Sequence, residues 1–214
     1  MPTFSSAGQP IRIDHYPPKQ QTPGAAIILV HGSGGPLRGL DPFAGQAAMF
    51  GVHVFVVHYF ERTGHSWVYP SQIEEHFAAW LETLKDAINF VAAQPGVDGS
   101  SIALLGFSLG SFLSLALATR DPRIVAVAEL FGGLAEHFVP DAGKLPPVLI
   151  LHGAKDTTVP VEHAYKLERI LQQHKIPYEI HIYPDQGHTF QGLAQFDAMR
   201  RIAGFFQKHL GRAA

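Results

Sequence analysis

Short, mostly apolar runs recur along this chain at residues 25–30, 52–57, 102–107, 124–130, 148–151 and 178–183. Each has the length of a buried strand, and between them lie longer stretches with apolar residues at helical spacing. The clearest is Ile73, Phe77, Trp80, Leu81, Leu84, Ile88 and Val91, which puts one helix face on a sheet. Ser71 with Glu74 has the spacing of a capping box at its start, and Pro95-Gly96 stops it. Helices are likewise expected at residues 112–118, from the stretch after Pro160 to about His174, and at 193–210. Asp41-Pro42 reads as an N-cap and first helical proline, opening a short helix to about Phe50. Residues 11–16 alternate, as a half-exposed edge strand would, and prolines from Pro17 to Pro23 end that strand in a turn.

Strands alternating with helices predict an α/β fold, with a mostly parallel central sheet and helices on both faces. At 214 residues and 46% hydrophobic, the chain can bury one substantial core, so residues 1–214 are expected to form a single domain. No repeat, low-complexity tract or linker interrupts it. Sixteen Lys and Arg against eighteen Asp and Glu, without a basic stripe, argue against nucleic acid as a partner. No run is long enough to cross a bilayer, and the N-terminus lacks an export signal. A cytoplasmic location without membrane association is therefore the expectation, although a chain from which a signal peptide had been removed would read the same. With no cysteine, a thiol nucleophile, a thiolate metal site and a disulfide are excluded.

The chemistry gathers where the strands end. Gly106-Phe107-Ser108-Leu109-Gly110 joins a buried strand to a buried helix, which is the setting of a nucleophile elbow: the sharp turn strains the serine and lifts its hydroxyl off the sheet. Serine is a poor nucleophile at neutral pH and needs a base. His188, between Gly187 and Thr189 after the last strand, is that candidate. Asp156, after the strand at 148–151, would orient the imidazole and stabilise its charged form. The N–H of Leu109 and one N–H from the Gly-rich loop after His31-Gly32, from Ser33 or Gly34, would hold an oxyanion. No H-E-x-x-H or similar ligand spacing occurs, so neither a metal nor a cofactor is expected.

Four segments carry a resemblance: VHGSGGP at residues 30–36, LLGFSLGS at 104–111, LHGAKDTTVP at 151–160 and YPDQGHTF at 183–190. With their order and spacing, the chain resembles the dienelactone hydrolase family of the α/β-hydrolase superfamily, without a lid insertion. The resemblance implies that fold and the roles of Ser108, Asp156 and His188. It departs from the namesake enzymes in one respect: they carry cysteine at the elbow, whereas this chain has Ser108. Dienelactone itself is thus in doubt as substrate, and the broader carboxylester hydrolases fit better. The namesake enzymes also hold a substrate carboxylate with arginine, which by position points to Arg62 in HYFERTG and more weakly to Arg38.

The expectation is a hydrolase of a small-molecule carboxylic ester or lactone, acting through an acyl-enzyme on Ser108 in a pocket lined by Phe60, Trp67, Tyr69, Phe131 and Phe190. The alternatives are a prolyl-oligopeptidase-type peptidase, an acyltransferase and a non-catalytic binding protein on the same fold. Physiological substrate and oligomeric state stay open.

Overall fold

Residues 2–18, 24–36 and 51–210 are described in a computed structural model of the chain. The apolar runs assemble as one eight-stranded sheet, because strands apolar on both faces must be covered on both faces. The strands are β1 (Thr3–Ser6), β2 (Gln9–Tyr16), β3 (Gly24–Val30), β4 (His53–Val57), β5 (Val97–Phe107), β6 (Ile124–Leu130), β7 (Val148–Gly153) and β8 (Tyr178–Tyr183). Their spatial order is β1-β2-β4-β3-β5-β6-β7-β8. β1 and β2 run antiparallel to their neighbours, and the other pairs are parallel.

Among the described residues, four α-helices cover the sheet: α1 (Pro70–Ala92), α2 (Leu109–Ala118), α3 (Glu162–His174) and α4 (Leu193–Leu210). Helices α1, α2 and α3 contribute to the larger core, with Ile28, Phe55, Trp80, Leu104 and Ile150 at its centre. On the opposite face, α4 lays Ala198, Ile202, Phe205 and Phe206 against Leu29, Leu105, Ala128 and Leu149. The sheet is therefore covered on both faces, as its periodicity requires.

Two details differ from expectation. Residues 11–16 are not the outermost strand: β1 pairs with residues 9–12 of the same strand, joined by a tight turn with Ala7 at φ 43° and Gly8 at φ 81°. β1 is too short and polar to register as an apolar run, yet it buries Phe4 and Ser6. Helix α1 starts at Pro70 rather than behind a Ser71–Glu74 box, and the Tyr69 N–H donates to Gln72 Oε1 at 3.0 Å. Proline at the first helical position sets the start two residues earlier, since its fixed φ suits that position and its missing N–H is not needed there. The expected helix at 41–50 and most of the turn at 17–24 lie outside the described residues. Among the described residues, no helix is long and apolar enough to cross a membrane.

One buried acid stands out. Glu129 of β6 is fully buried, opposite Gly106 of β5, and its Oε2 accepts the Gly132 N–H at 2.9 Å while Oε1 has no partner among the described residues. Burial pushes its carboxyl up to about 8, against the Gly132 N–H and Ser111, which pull it down. Unfolded, the same carboxyl loses its proton near its ordinary value of 4.5. Stability is therefore lost as pH rises between those two values, by about 5 kcal/mol in all. Buried His31 acts in the other direction. Burial, opposed by the Gly32 hydrogen bond and reinforced by His58, holds it down to about 4, so stability is lost as pH falls below its unfolded value of 6.5. Glu129→Gln is expected to melt well above the parent at pH 8 and to converge with it near pH 4.5. A gap in melting temperature that is constant with pH would refute a protonated Glu129.

Candidate active site

The last residue of β5 and the first of α2 enclose Ser108, whose φ of 54° and ψ of −119° lie outside the regions comfortable for a side chain. The strain is held by packing. A Cβ on Gly110 would lie 2.0 Å from the Val30 carbonyl oxygen, and one on Gly106 would lie 2.6 Å from Ser111 Cα. Only glycine fits either place. The Ser108 N–H donates to the Leu130 carbonyl at 2.8 Å, and buried Ser111 Oγ accepts the Leu130 N–H at 3.0 Å. Three strand ends thus meet at the elbow.

His188, in the loop between β8 and α4, brings its Nε2 to 2.9 Å from Ser108 Oγ. Its Nδ1 lies 2.7 Å from Asp156 Oδ2. Because a carboxylate only accepts, Nδ1 carries the proton and Nε2 faces the serine as an acceptor. The other Asp156 oxygen, Oδ1, accepts the N–H groups of Thr158 at 2.8 Å and Val159 at 2.9 Å. Burial alone would push this carboxyl up, but the His188 N–H and the two backbone N–H groups outweigh it and hold the pKa below the usual range. The aspartate is consequently ionised beside a histidine that can accept a proton from Ser108. Its loop closes through Gly153, where a Cβ would lie 2.3 Å from the Gly187 oxygen.

The glycine-rich loop after β3 touches the same serine. A Cβ on Gly32 would lie 3.1 Å from Ser108 Cβ. The Gly35 N–H is taken by the Gly32 carbonyl at 3.1 Å, and the Ser33 carbonyl by the Val68 N–H at 2.9 Å. The N–H groups of Ser33 and Gly34 make no bond to another described residue, and at the first turn of α2 the N–H of Leu109 has no helical carbonyl behind it. These are the groups expected to form an oxyanion hole.

The residues expected to line a pocket divide. Phe131 is at φ 58°, an uncommon place for an aromatic residue. Its ring lies 5.4 Å from His188 and 4.5 Å from Phe190. Trp67 and Tyr69 are exposed and pack edge to face at 4.5 Å, on the loop whose Val68 bonds Ser33. Phe60 differs: it is 2% exposed, wedged between His31 and Trp80 at 4.7 and 4.8 Å, so it belongs to the core rather than to a pocket wall. Arg62 likewise turns to α1, where its Nη2 lies 3.9 Å from Glu82 Oε2. Position after a strand indicates neither side chain's direction, and here both join the bracing of residues 59–63. In that brace Tyr59 donates to the His31 carbonyl at 2.7 Å, Trp80 donates to Thr63 at 2.9 Å, and Glu61 accepts from Arg12. Arg38 lies outside the described residues.

Two histidines that the sequence did not single out lie at strand ends close to this site. His31 stacks on Tyr59 at 4.2 Å and donates from Nδ1 to the Gly32 carbonyl at 2.8 Å. His152, at the end of β7, is fully buried with Nε2 at 2.8 Å from the Val159 carbonyl. Their place at the carboxyl ends of strands was the only available signal, and thirteen histidines diluted it. Among the described residues, no group of three or more His, Asp and Glu could hold a metal ion.

Known proteins share this framework. A Yersinia pestis protein bearing the name carboxymethylenebutenolidase is 31% identical over 136 residues, covering 55% of this chain and 51% of its own length. Human acyl-coenzyme A thioesterase 6 is 33% identical over 132 residues, covering 61% of this chain and 29% of its own. The chain thus spans about half the length of the first of these relatives, and less of the second. Among solved structures, a dienelactone hydrolase-like phosphotriesterase from metagenomic libraries superposes with a TM-score of 0.85 at 20% identity, covering 98% of this chain and 97% of that one. A puromycin-hydrolysing peptidase of Mycobacterium tuberculosis gives 0.82 at 20% identity, covering 95% of this chain and 38% of that one. At these identities the structures share the fold. The dienelactone hydrolase family profile matches residues 11–200, nearly the whole chain, and the protein belongs to that family.

Proposed function

We propose that the protein is a serine hydrolase that cleaves a small carboxylic ester or lactone through an acyl-enzyme on Ser108. The observation that carries this is the position of the His188 ring, 2.9 Å from Ser108 Oγ on one side and 2.7 Å from an ionised Asp156 on the other. Its relatives include proteins named for opening a butenolide lactone and for cleaving acyl thioesters. Ester and lactone carbonyls undergo the same acyl chemistry.

In the first half-reaction, Ser108 Oγ attacks the carbonyl carbon as its proton passes to His188 Nε2. Negative charge develops on the carbonyl oxygen, where the N–H of Leu109 and that of Ser33 or Gly34 receive it. His188 is then an imidazolium, stabilised by Asp156. The intermediate collapses by breaking the bond to the leaving oxygen, which takes the proton from Nε2. For a lactone that oxygen stays tethered to the acyl group. Water then repeats the sequence: His188 takes its proton, its oxygen attacks the acyl carbon, and Ser108 leaves with the proton. The substrate's carbon skeleton lies between two aromatic walls, Phe131 with Phe190 beside His188, and Trp67 beside the oxyanion loop.

A fluorophosphonate probe is expected to label Ser108, as located by mass spectrometry, and Ser108→Ala to lose turnover of p-nitrophenyl acetate by at least ~10³-fold while melting near the parent temperature. A folded protein that neither labels nor turns over would remove the acyl-enzyme reading. Gly110→Ala is expected to abolish activity with a large loss of stability, since its methyl must displace the β3 backbone. Phe131→Ala and Trp67→Ala are expected to reduce kcat/KM for aryl or longer acyl esters by ~10-fold or more, with a smaller effect on acetate esters. Equal losses on all esters would show that these rings do not contact substrate.

A further inference from the structure

We propose that His152 is a positioning residue for the triad: by bracing the Asp156 loop it fixes the carboxylate oxygen that faces His188. The proposal rests on the assignment of Asp156 and His188 above and extends it to a side chain that touches no substrate. His152 Nε2 lies 2.8 Å from the Val159 carbonyl. A carbonyl cannot donate, so Nε2 holds the proton and Nδ1 is bare, and Nδ1 is indeed buried without a partner among the described residues. The partial positive charge of that N–H also lies 3.3 Å from Asp156 Oδ2, the same oxygen that accepts from His188.

The side chains of His152 and Asp156 are both wholly buried. Each Asp156 oxygen consequently has its own set of groups. Oδ1 is pinned by the N–H groups of Thr158 and Val159, and Oδ2 lies between His188 Nδ1 and His152 Nε2. Val159 is tied at both ends, its N–H to Oδ1 and its carbonyl to His152. Rotation of the carboxylate would break bonds on both sides, which holds Oδ2 in line with His188. Burial, ahead of the opposing Val159 bond and Asp156 charge, holds the His152 pKa down. The ring therefore supplies a dipole rather than a second cation that would compete with the imidazolium of His188.

The test compares His152→Phe, which keeps a flat ring and loses the N–H, with His152→Gln, which keeps a side-chain N–H donor. In the Phe variant kcat is expected to fall ~10- to 100-fold while KM changes by less than about threefold. The acid limb of its kcat/KM profile should move to lower pH, because a loosened Asp156 stabilises the imidazolium less. The Gln variant should recover most of the activity and the parental limb. Activities of both variants that follow only their melting temperatures, with the acid limb unmoved, would overturn the proposal. Wild-type protein labelled with ¹⁵N-histidine provides a readout that needs no variant: His152 should hold the Nε2–H tautomer, and an Nδ1–H form would end the argument. Fluorophosphonate labelling of wild type separates the two levels. Labelled Ser108 with an indifferent His152→Phe refutes His152 alone, whereas unlabelled Ser108 refutes the triad reading and His152 with it.

Discussion

Everything in this site depends on one steric constraint, the approach of the elbow to the end of β3. With a Cβ of residue 110 only 2.0 Å from the Val30 oxygen and 2.6 Å from the His31 oxygen, any side chain there would push α2 away from the sheet. The contact does two jobs at once. It locks Ser108 in a backbone conformation that costs on the order of 1–3 kcal/mol, and it brings the loop after His31 to the serine's side. The same device recurs at neighbouring strand ends. Gly132 abuts Ser111 and Gly153 abuts the Gln186–Gly187 backbone. At Gly110 and Gly153 the segments that carry Ser108, Asp156 and His188 are thus held by contacts between main chains, which rotamer changes cannot relax.

A second layer of order supports the glycine-rich loop after β3 from behind. The buried Tyr59 hydroxyl holds the His31 carbonyl, its ring stacks on the His31 imidazole, and Phe60 and Trp80 close the stack. Residues 59–63 therefore stiffen the loop that faces Ser108, instead of reaching into the substrate's space. This explains why a motif so placed can carry an arginine that points to Glu82 on α1.

What was legible in the sequence was whatever has a local signature. The strands at 124–130 and 178–183 and the helix at 193–210 appear with the expected limits, because short strand-length runs and a sustained 3.6-residue period leave few alternatives. Ser108, Asp156 and His188 could be picked out because each follows a strand, and strands in such a sheet end on one side. β1 was not legible, since Thr3-Phe4-Ser5-Ser6 has one apolar residue and gains its place only by pairing with β2. The directions of Phe60 and Arg62 were not legible for a related reason: sequence locates a residue after a strand, while tertiary packing decides which way its side chain turns. Glu129 inside an apolar run and His152 just after one are buried polar groups, and their hydrogen bonds go to partners 3 and 7 residues away whose geometry no pattern encodes.

Charge is distributed around this site with a consistent sign. His31, His152, Tyr59 and Glu129 are all buried near the strand ends, and burial shifts each toward its neutral form: the two histidines down, the tyrosine and the glutamate up. Asp156 is the buried side chain beside His188 that moves the other way, because three N–H groups converge on it. In a poorly screened interior, a further fixed charge would act on the imidazolium over several ångströms. Neutral neighbours leave the Asp156 carboxylate as the dominant field along the line from Ser108 through His188. Polar groups that would be costly as ions are tolerated there as dipoles, and the charge retained beside His188 is that of Asp156.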